Sequence, residues 1–140
     1  GMKILQFAFD SREESDYLPH NYTHNCVVYT GTHDNDTVMG WYDTLKGADK
    51  KLCDDYLRLK NADGEPIPRE QIPWEFVRAA MSSVADMAII PMQDYLGLGS
   101  EARINIPSTL GINWMWRMGN GDFTKELAGR IRSMTKLYGR

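Results

Sequence analysis

Three short apolar runs, separated by polar loops and helical patterns, constrain the fold of this chain more than any other feature. The runs are Lys3–Phe9, Cys26–Thr30 and Met87–Pro91. Each has the length and the aromatic or β-branched content of a buried strand. Continuous apolar runs are typical of strands covered on both faces, as in parallel sheets. Because helical patterns follow the second and third runs, the sequence predicts an α/β unit of parallel strands with helices.

The helices are predicted from apolar spacing and from capping residues. Asp36 and Asp49 stand where they can cap two short helices. Residues Trp74–Val84 have the spacing of an amphipathic helix. A last helix starts near Asp122, and its inward face is predicted to consist of Phe123, Leu127, Ile131, Met134 and Tyr138. No linker interrupts the pattern, so residues 1–140 are predicted to form a single unit.

The composition argues against several classes of protein. The net charge of −3 lacks the excess of Lys and Arg that a broad nucleic-acid surface needs. No apolar run approaches the ~20 residues of a membrane span, and the first residues do not have the pattern of a signal peptide. Cys26 and Cys53 lie outside any C-x-x-C motif and favour a reducing, cytoplasmic location. We therefore expect neither nucleic-acid nor membrane partners.

The densest polar cluster, THDNDT, follows the second apolar run at residues 32–37. Ligands of parallel α/β folds bind at the carboxyl ends of the strands. Asp34 can accept hydrogen bonds from two adjacent sugar hydroxyls, and His33 can donate another. The alternative is turn chemistry with a helix cap, which we favour for Asp36 alone. A functional role is the favoured interpretation of His33 and Asp34.

Polar residues also follow the third run. Gln93 and Asp94 occupy the corresponding position after this strand, so either of them can contact a ligand. Arg103 and Asn105 lie in the loop beyond. For Arg103, an ion pair with Glu101 or Asp94 is as reasonable as a ligand contact.

Two tryptophans stand two residues apart in NWMWR, residues 113–117. Tryptophan faces can stack on the apolar faces of pyranose rings, and Arg117 can bracket a hydroxyl. The alternative is that Trp114 and Trp116 fill the core beneath the last helix, because tryptophan buries a large apolar area wherever it lies. The residues alone favour the core.

Metal and nucleotide motifs are incomplete. Residues 34–36 begin like a calcium-binding loop, but Met39 and Leu45 stand where that loop needs Gly and Glu. No standard zinc spacing matches the nearby group His20, His24, Cys26 and His33. The segment GLGSEA, residues 97–102, lacks the following strand and acidic residue of a dinucleotide site. We therefore expect no metal and no cofactor.

Several blocks occur together in one order along the chain: GMKILQFAF, YLPHNY, VVYTGTHDNDT, PMQDYLGLGSEARIN and GINWMWR. Together they resemble the amylomaltase (disproportionating enzyme) family of 4-alpha-glucanotransferases, glycoside hydrolase family 77. The resemblance implies a (β/α)8 barrel, with the three apolar runs as its sixth, seventh and eighth strands. A complete barrel needs about 250 residues. The chain is thus expected to be the C-terminal part of a barrel, with about three of its βα units.

The resemblance also implies roles for single residues. Asp34 matches a third acid of the family, which hydrogen-bonds ring hydroxyls and favours the oxocarbenium-like transition state, and His33 would hold the same sugar. Phe9 would pack against an acceptor sugar, while Gln93 and Asn105 would line the substrate groove. The nucleophile and the acid/base of the retaining mechanism follow the fourth and fifth strands of the family and are expected upstream of this chain. No metal or organic cofactor is implied.

The expected function is therefore a part in the transfer of α-1,4-glucan segments between maltooligosaccharides, with the isolated chain inactive. Two alternatives stay open: a non-catalytic glucan-binding module, and one part of a split enzyme. A partial barrel leaves two sheet edges and an apolar interior uncovered. We therefore expect the chain to form homo-oligomers or to pair with the missing barrel half.

Overall fold

Three short strands form a parallel sheet in the computed structural model, which describes residues 1–140. The strands are β1 (Met2–Ile4), β2 (Val27–Tyr29) and β3 (Met87–Ile89). They lie side by side in chain order, so β2 is central. The predicted parallel arrangement of the three apolar runs is confirmed.

Each strand is shorter than the apolar run that predicts it. After β1 the backbone turns into a 3-10 helix at Leu5–Phe7. Leu5 and Ala8 are nevertheless completely buried. The run beginning at Lys3 therefore indicates burial at most of its positions, with Phe7 as an exposed exception, and extended backbone only at its start.

Five α-helices complete the fold. They are α1 (Val38–Tyr42), α2 (Gly47–Tyr56), α3 (Ile72–Met81), α4 (Met92–Tyr95) and α5 (Lys125–Leu137). The helix predicted at Trp74–Val84 thus starts and ends earlier in the chain. Pro73 fits into the first turn of α3 because a first-turn N–H has no partner within the helix. None of the helices has the length and apolar character needed to cross a membrane.

Two predicted helix caps are wrong. The cap of α1 is Thr37, whose hydroxyl accepts a backbone N–H of the first turn at 3.1 Å, and not Asp36. Asp49 lies within the first turn of α2, where its carboxylate accepts the backbone N–H and the hydroxyl of Ser11 at 2.8 and 2.6 Å. A carboxylate in this turn also interacts favourably with the helix dipole. Similarly, α5 begins after Thr124 and not at Asp122.

The core lies between the helices and one face of the sheet. A cluster of 17 buried residues includes Val28 of β2 and Phe76 of α3, both fully buried. A second cluster contains Trp74, Val77 and Met81. The residues of the last helical segment that pack against this second cluster are Leu127, Ile131, Met134 and Tyr138. The predicted inward face is thereby confirmed, except for Phe123, which precedes the helix and is 49% exposed.

The opposite face of the sheet carries apolar side chains that nothing covers. Met2, Met87 and Ile89 are 55%, 54% and 41% exposed. Strands β1 and β3 each have one unpaired edge, since the sheet contains only three strands. We call these three residues and the two edges the open face. It is continuous with a cleft of about 760 Å³ at the carboxyl ends of the strands.

We expect the isolated chain to associate through the open face, because unpaired edges and contiguous apolar surface favour pairing with another chain. Light scattering after size-exclusion chromatography should give a mass above 16.0 kDa that rises with concentration. Met87→Lys, which introduces a charge into the open face, should lower that mass.

Leu137→Lys is the matched control, because it makes the same change at a 70% exposed position of α5. It should leave the mass unchanged. A monomer of 16.0 kDa at every concentration would contradict the prediction.

Candidate functional site

The loop after β2 carries His33 and Asp34 at the carboxyl end of the sheet. A tight turn within this loop determines where these two side chains lie. The Asn35 side-chain oxygen accepts the backbone N–H of Thr32 at 2.9 Å and its hydroxyl at 2.7 Å. Both side chains stay about half exposed, at 54% for His33 and 49% for Asp34.

This loop is also attached to the segment that follows β1. Gln6 is buried, and its Nε2 donates to the backbone carbonyl of Asp36 at 2.8 Å. Gly31 makes room for that contact, because a Cβ at this position would lie 2.6 Å from Gln6 Nε2. The glycine at the end of the second run thus allows two neighbouring strand ends to meet.

The loop after α4 holds Asp34 by its side chain and by its backbone. The Nδ2 of Asn105 donates to Asp34 Oδ1 at 2.7 Å, and Arg103 Nη2 donates to the Asp34 carbonyl at 2.6 Å. His33 Nε2 lies 3.3 Å from the same Oδ1. The other carboxylate oxygen, Oδ2, accepts no hydrogen bond from the chain. Asp34 is therefore fixed in place while one of its oxygens stays available to a ligand.

The predicted ion pairs of Arg103 are wrong. Besides the Asp34 carbonyl, its guanidinium donates to the carbonyl of Asn105 at 3.0 Å. The carboxylate of Glu101 instead accepts the backbone N–H of Gly99 at 2.9 Å. Arg103 thus joins two loops through backbone acceptors, which no charge pattern in the sequence could indicate.

A second link between the same loops involves Asp36. Its carboxylate accepts the hydroxyl of Ser100 at 2.6 Å and the N–H of Thr37 at 2.8 Å. A Cβ at Gly40 would lie 2.3 Å from the Ser100 hydroxyl, so a larger residue there would separate the two groups. No sequence pattern indicates this role of Ser100, because a lone serine in a loop has many possible roles.

Core burial is the wrong interpretation of Trp114. Its side chain is 54% exposed and packs on the His33 ring, with the ring centroids 5.0 Å apart and the planes inclined by 36°. The tryptophan beneath the last helix is Trp74 instead. Arg117 donates to the carbonyls of Trp114 and Trp116, which stabilises this segment from within.

The structure also corrects the prediction for Phe9. Phe9 is only 4% exposed and packs against Trp41 and Phe76, with centroid distances of 6.0 and 6.1 Å. It therefore cannot contact a sugar. The 3-10 turn after β1 breaks the strand alternation and exposes Phe7 instead, which is 50% exposed and lines the cleft.

Gln93 and Asp94 are both buried, at 3% and 2% exposure. Gln93 lies at the cleft and donates to the carbonyl of Ala102 at 3.2 Å, so its role towards a ligand stays a prediction. Asp94 accepts the Thr30 hydroxyl at 2.5 Å and the N–H of Val38 at 2.8 Å. It joins the end of β2 to the start of α1. Burial raises the pKa of Asp94 to about 6.

Taken together, the cleft has a polar rim formed by His33, Asp34 and Asn35 and an apolar floor that includes Tyr29 and Ile89. No three His, Cys, Asp or Glu side chains meet in a geometry that could hold a metal ion. Two of the four residues considered for zinc are engaged in other contacts. His20 contacts the Tyr56 hydroxyl and His33 packs on a tryptophan. The site can therefore form hydrogen bonds to the hydroxyl groups of a ligand that also contacts an aromatic surface.

Comparison with known proteins identifies the family. The sequence profile of the 4-alpha-glucanotransferases, glycoside hydrolase family 77, matches residues 1–122. The chain belongs to this 4-alpha-glucanotransferase family. The resemblance of its sequence blocks is thereby confirmed.

Curated 4-alpha-glucanotransferases are similar along the chain. The one from Clostridium butyricum is 50% identical over 141 residues, covering 100% of this chain and 28% of the relative. The one from Thermus thermophilus is 46% identical, covering 97% and 27%. A chloroplastic/amyloplastic one from Arabidopsis thaliana is 46% identical, covering 100% and 24%. The chain thus spans about a quarter of the length of these glucanotransferases.

A solved structure agrees with this assignment. The amylomaltase from Streptococcus agalactiae, in complex with acarbose, superposes with a TM-score of 0.89 at 36% identity. The match covers 100% of this chain and 27% of that amylomaltase. The parallel α/β arrangement is therefore that of part of an amylomaltase.

The buried carboxylate of Asp94 should make stability depend on pH in an unusual direction. Its pKa of about 6, against an ordinary value of 3.8, means that the native state binds the proton more tightly than the unfolded state. Its contribution to the free energy of unfolding therefore falls as pH rises from about 4 to 6, by at most ~3 kcal/mol.

Urea unfolding at several pH values tests this expectation. Asp94→Asn should remove the fall between pH 4 and 6, because the amide keeps an acceptor for Val38 and does not titrate. Asp94→Ala should cost ~1–3 kcal/mol at every pH, since it leaves the Val38 N–H buried without a partner. Parallel pH profiles for the wild type and Asp94→Asn would contradict the assignment.

Proposed function

We propose that this chain is the part of a 4-alpha-glucanotransferase that binds the sugar at the cleaved bond and stabilises the transition state. In the complete enzyme, α-1,4-glucan segments would pass between maltooligosaccharides by a retaining mechanism. That mechanism uses one carboxylate as nucleophile and a second carboxyl group as acid/base. We assign both to the three quarters of the family's length that this chain does not span, so the isolated chain is expected to be inactive.

The observation that carries the proposal is the state of the Asp34 carboxylate. One of its oxygens is fixed by Asn105 at 2.7 Å and the other is free at the edge of the cleft. A carboxylate held in this way can accept hydrogen bonds from ring hydroxyls. Such bonds strengthen as positive charge develops on the sugar ring, so they favour the transition state over the bound substrate.

The neighbouring residues have supporting roles in this proposal. His33 donates to a hydroxyl of the same sugar through Nε2, which lies 3.3 Å from Asp34 Oδ1. Asn105 fixes the carboxylate, and Gln93 lines the cleft. The exposed ring of Phe7 replaces Phe9 as the aromatic surface for a neighbouring sugar. The acarbose complex of the similar amylomaltase supports an oligosaccharide as the ligand class.

The open face supports completion of a barrel by further strands. Its exposed Met2, Met87 and Ile89 would become the barrel interior, and the free edges of β1 and β3 would pair with strands of the remaining part. The same edges favour, as a second candidate, one part of a split enzyme whose other chain carries the two catalytic carboxyl groups.

A chimera tests the proposed function. This chain replaces the aligned segment of the Clostridium butyricum relative, which is 50% identical to it. The chimera should convert maltotriose into glucose and longer maltooligosaccharides. Asp34→Asn should reduce kcat/KM at least ~100-fold, because an electrostatic contact to the transition state is lost. Asn105→Ala should cost ~10-fold, the value of about one hydrogen bond.

Asp63→Asn supplies the matched control, since it makes the same chemical change in an exposed turn that does not line the cleft. It should leave kcat/KM unchanged. Full activity of the Asp34→Asn chimera would refute the role of Asp34. Acarbose titrated into the isolated chain addresses the glucan-binding module: binding by the chain together with an inactive chimera would identify such a module. Activity restored by adding the rest of the relative as a separate chain would identify a split enzyme.

A further inference from the structure

The Trp114 backbone is strained. Its φ angle of 64° lies in the left-handed region, which bulky residues rarely adopt because the Cβ comes too close to the following carbonyl oxygen. Such strain persists only where surrounding contacts determine the conformation, and it is concentrated at functional sites. The side chain is 54% exposed, so burial of the indole does not account for the strain.

Two hydrogen bonds hold the strained residue in place. The Trp114 N–H donates to the carbonyl of Ile104 at 2.7 Å, and its carbonyl accepts Arg117 Nη1 at 3.2 Å. Ile104 stands between Arg103 and Asn105, the two residues that hold Asp34. One tripeptide therefore fixes both the tryptophan and the carboxylate.

The indole in turn restrains His33. No other segment of the chain makes a hydrogen bond to the imidazole, which is about half exposed. Its packing partner is the Trp114 ring, at a centroid distance of 5.0 Å. Without that contact the ring of His33 would be free to change rotamer and to move Nε2 away from Asp34.

We propose that Trp114 is a positioning residue, which holds the His33 imidazole so that His33 and Asp34 act on the same sugar. Its consequence for turnover rests on the proposed function, whereas its effect on the His33 ring does not. The left-handed backbone directs the indole onto His33. The hydrogen bond to Ile104 fixes the position of Trp114 relative to Asp34.

A set of substitutions in the chimera tests the kinetic consequence. Trp114→Gly relieves the backbone strain, so a purely structural residue could be replaced in this way without loss. We expect kcat/KM to fall ~10-fold or more, because a displaced catalytic-site group has effects of this size. Trp114→Phe keeps an aromatic ring against His33, so this variant should retain most of the unsubstituted chimera's kcat/KM. Leu110→Gly, at a completely exposed position of the same loop, is the control and should have no effect.

A double-mutant cycle with His33→Ala decides between an indirect and a direct role. If Trp114 acts through His33, Trp114→Gly should have no further effect once His33 is alanine. An undiminished ~10-fold effect in the His33→Ala background would overturn the proposal and make Trp114 a direct sugar contact.

The geometry is tested separately by NMR on this chain, whatever the activity of the chimera. The Cε1 proton of His33 should lie upfield because of the indole ring, and Trp114→Gly should move it to the position of an exposed histidine. His20 and His24 serve as internal references that should not move. An unshifted His33 signal in the wild type would refute the contact itself. Inactivity of the unsubstituted chimera would instead refute the proposed function alone.

Discussion

The buried carboxylate of Asp94 is the interaction on which the cleft depends. It accepts the hydroxyl of Thr30 at the end of β2 and the N–H of Val38 at the start of α1. These two residues bound the loop that carries His33 and Asp34. A charged group in the interior is costly unless it is hydrogen-bonded, and here both partners belong to the ends of one loop. Asp94 thereby holds both ends of that loop in place from the buried side of the site.

The second constraint comes from the opposite side of the cleft. The segment 103–105 binds the backbone and the side chain of Asp34 and also the backbone of Trp114. Asp34 is thus held between two loops that are distant in sequence and adjacent in space. Such preorganisation matters for glycosyl transfer, because a fixed acceptor need not reorganise as charge develops on the sugar. In the proposed function the exposed oxygen contacts the sugar, and the oxygen bonded to Asn105 keeps the carboxylate in place.

The open face is the structural basis for the proposal that further strands complete this site. The face of the sheet that the helices cover packs into a core around Val28 and Phe76. The open face exposes Met2, Met87 and Ile89, which are residues suited to an interior. A sheet of three parallel strands with one apolar face uncovered is an unfavourable final state in water. In the proposed complete enzyme, the open face is therefore where further strands of a barrel would pair with this chain.

The amino-acid sequence was sufficient to predict the three strands and their parallel α/β arrangement, the family, and the loop that carries His33 and Asp34. These follow from local patterns: apolar runs, helical spacing and a polar cluster directly after a strand. The three-dimensional structure was needed to show that Phe9 is buried while Phe7 is exposed, that Arg103 binds carbonyls, and that Trp114 lies on His33 and not in the core. The physical reason is that each of these depends on contacts between segments far apart in the chain, where a single 3-10 turn or one left-handed residue redirects a side chain without changing the local pattern.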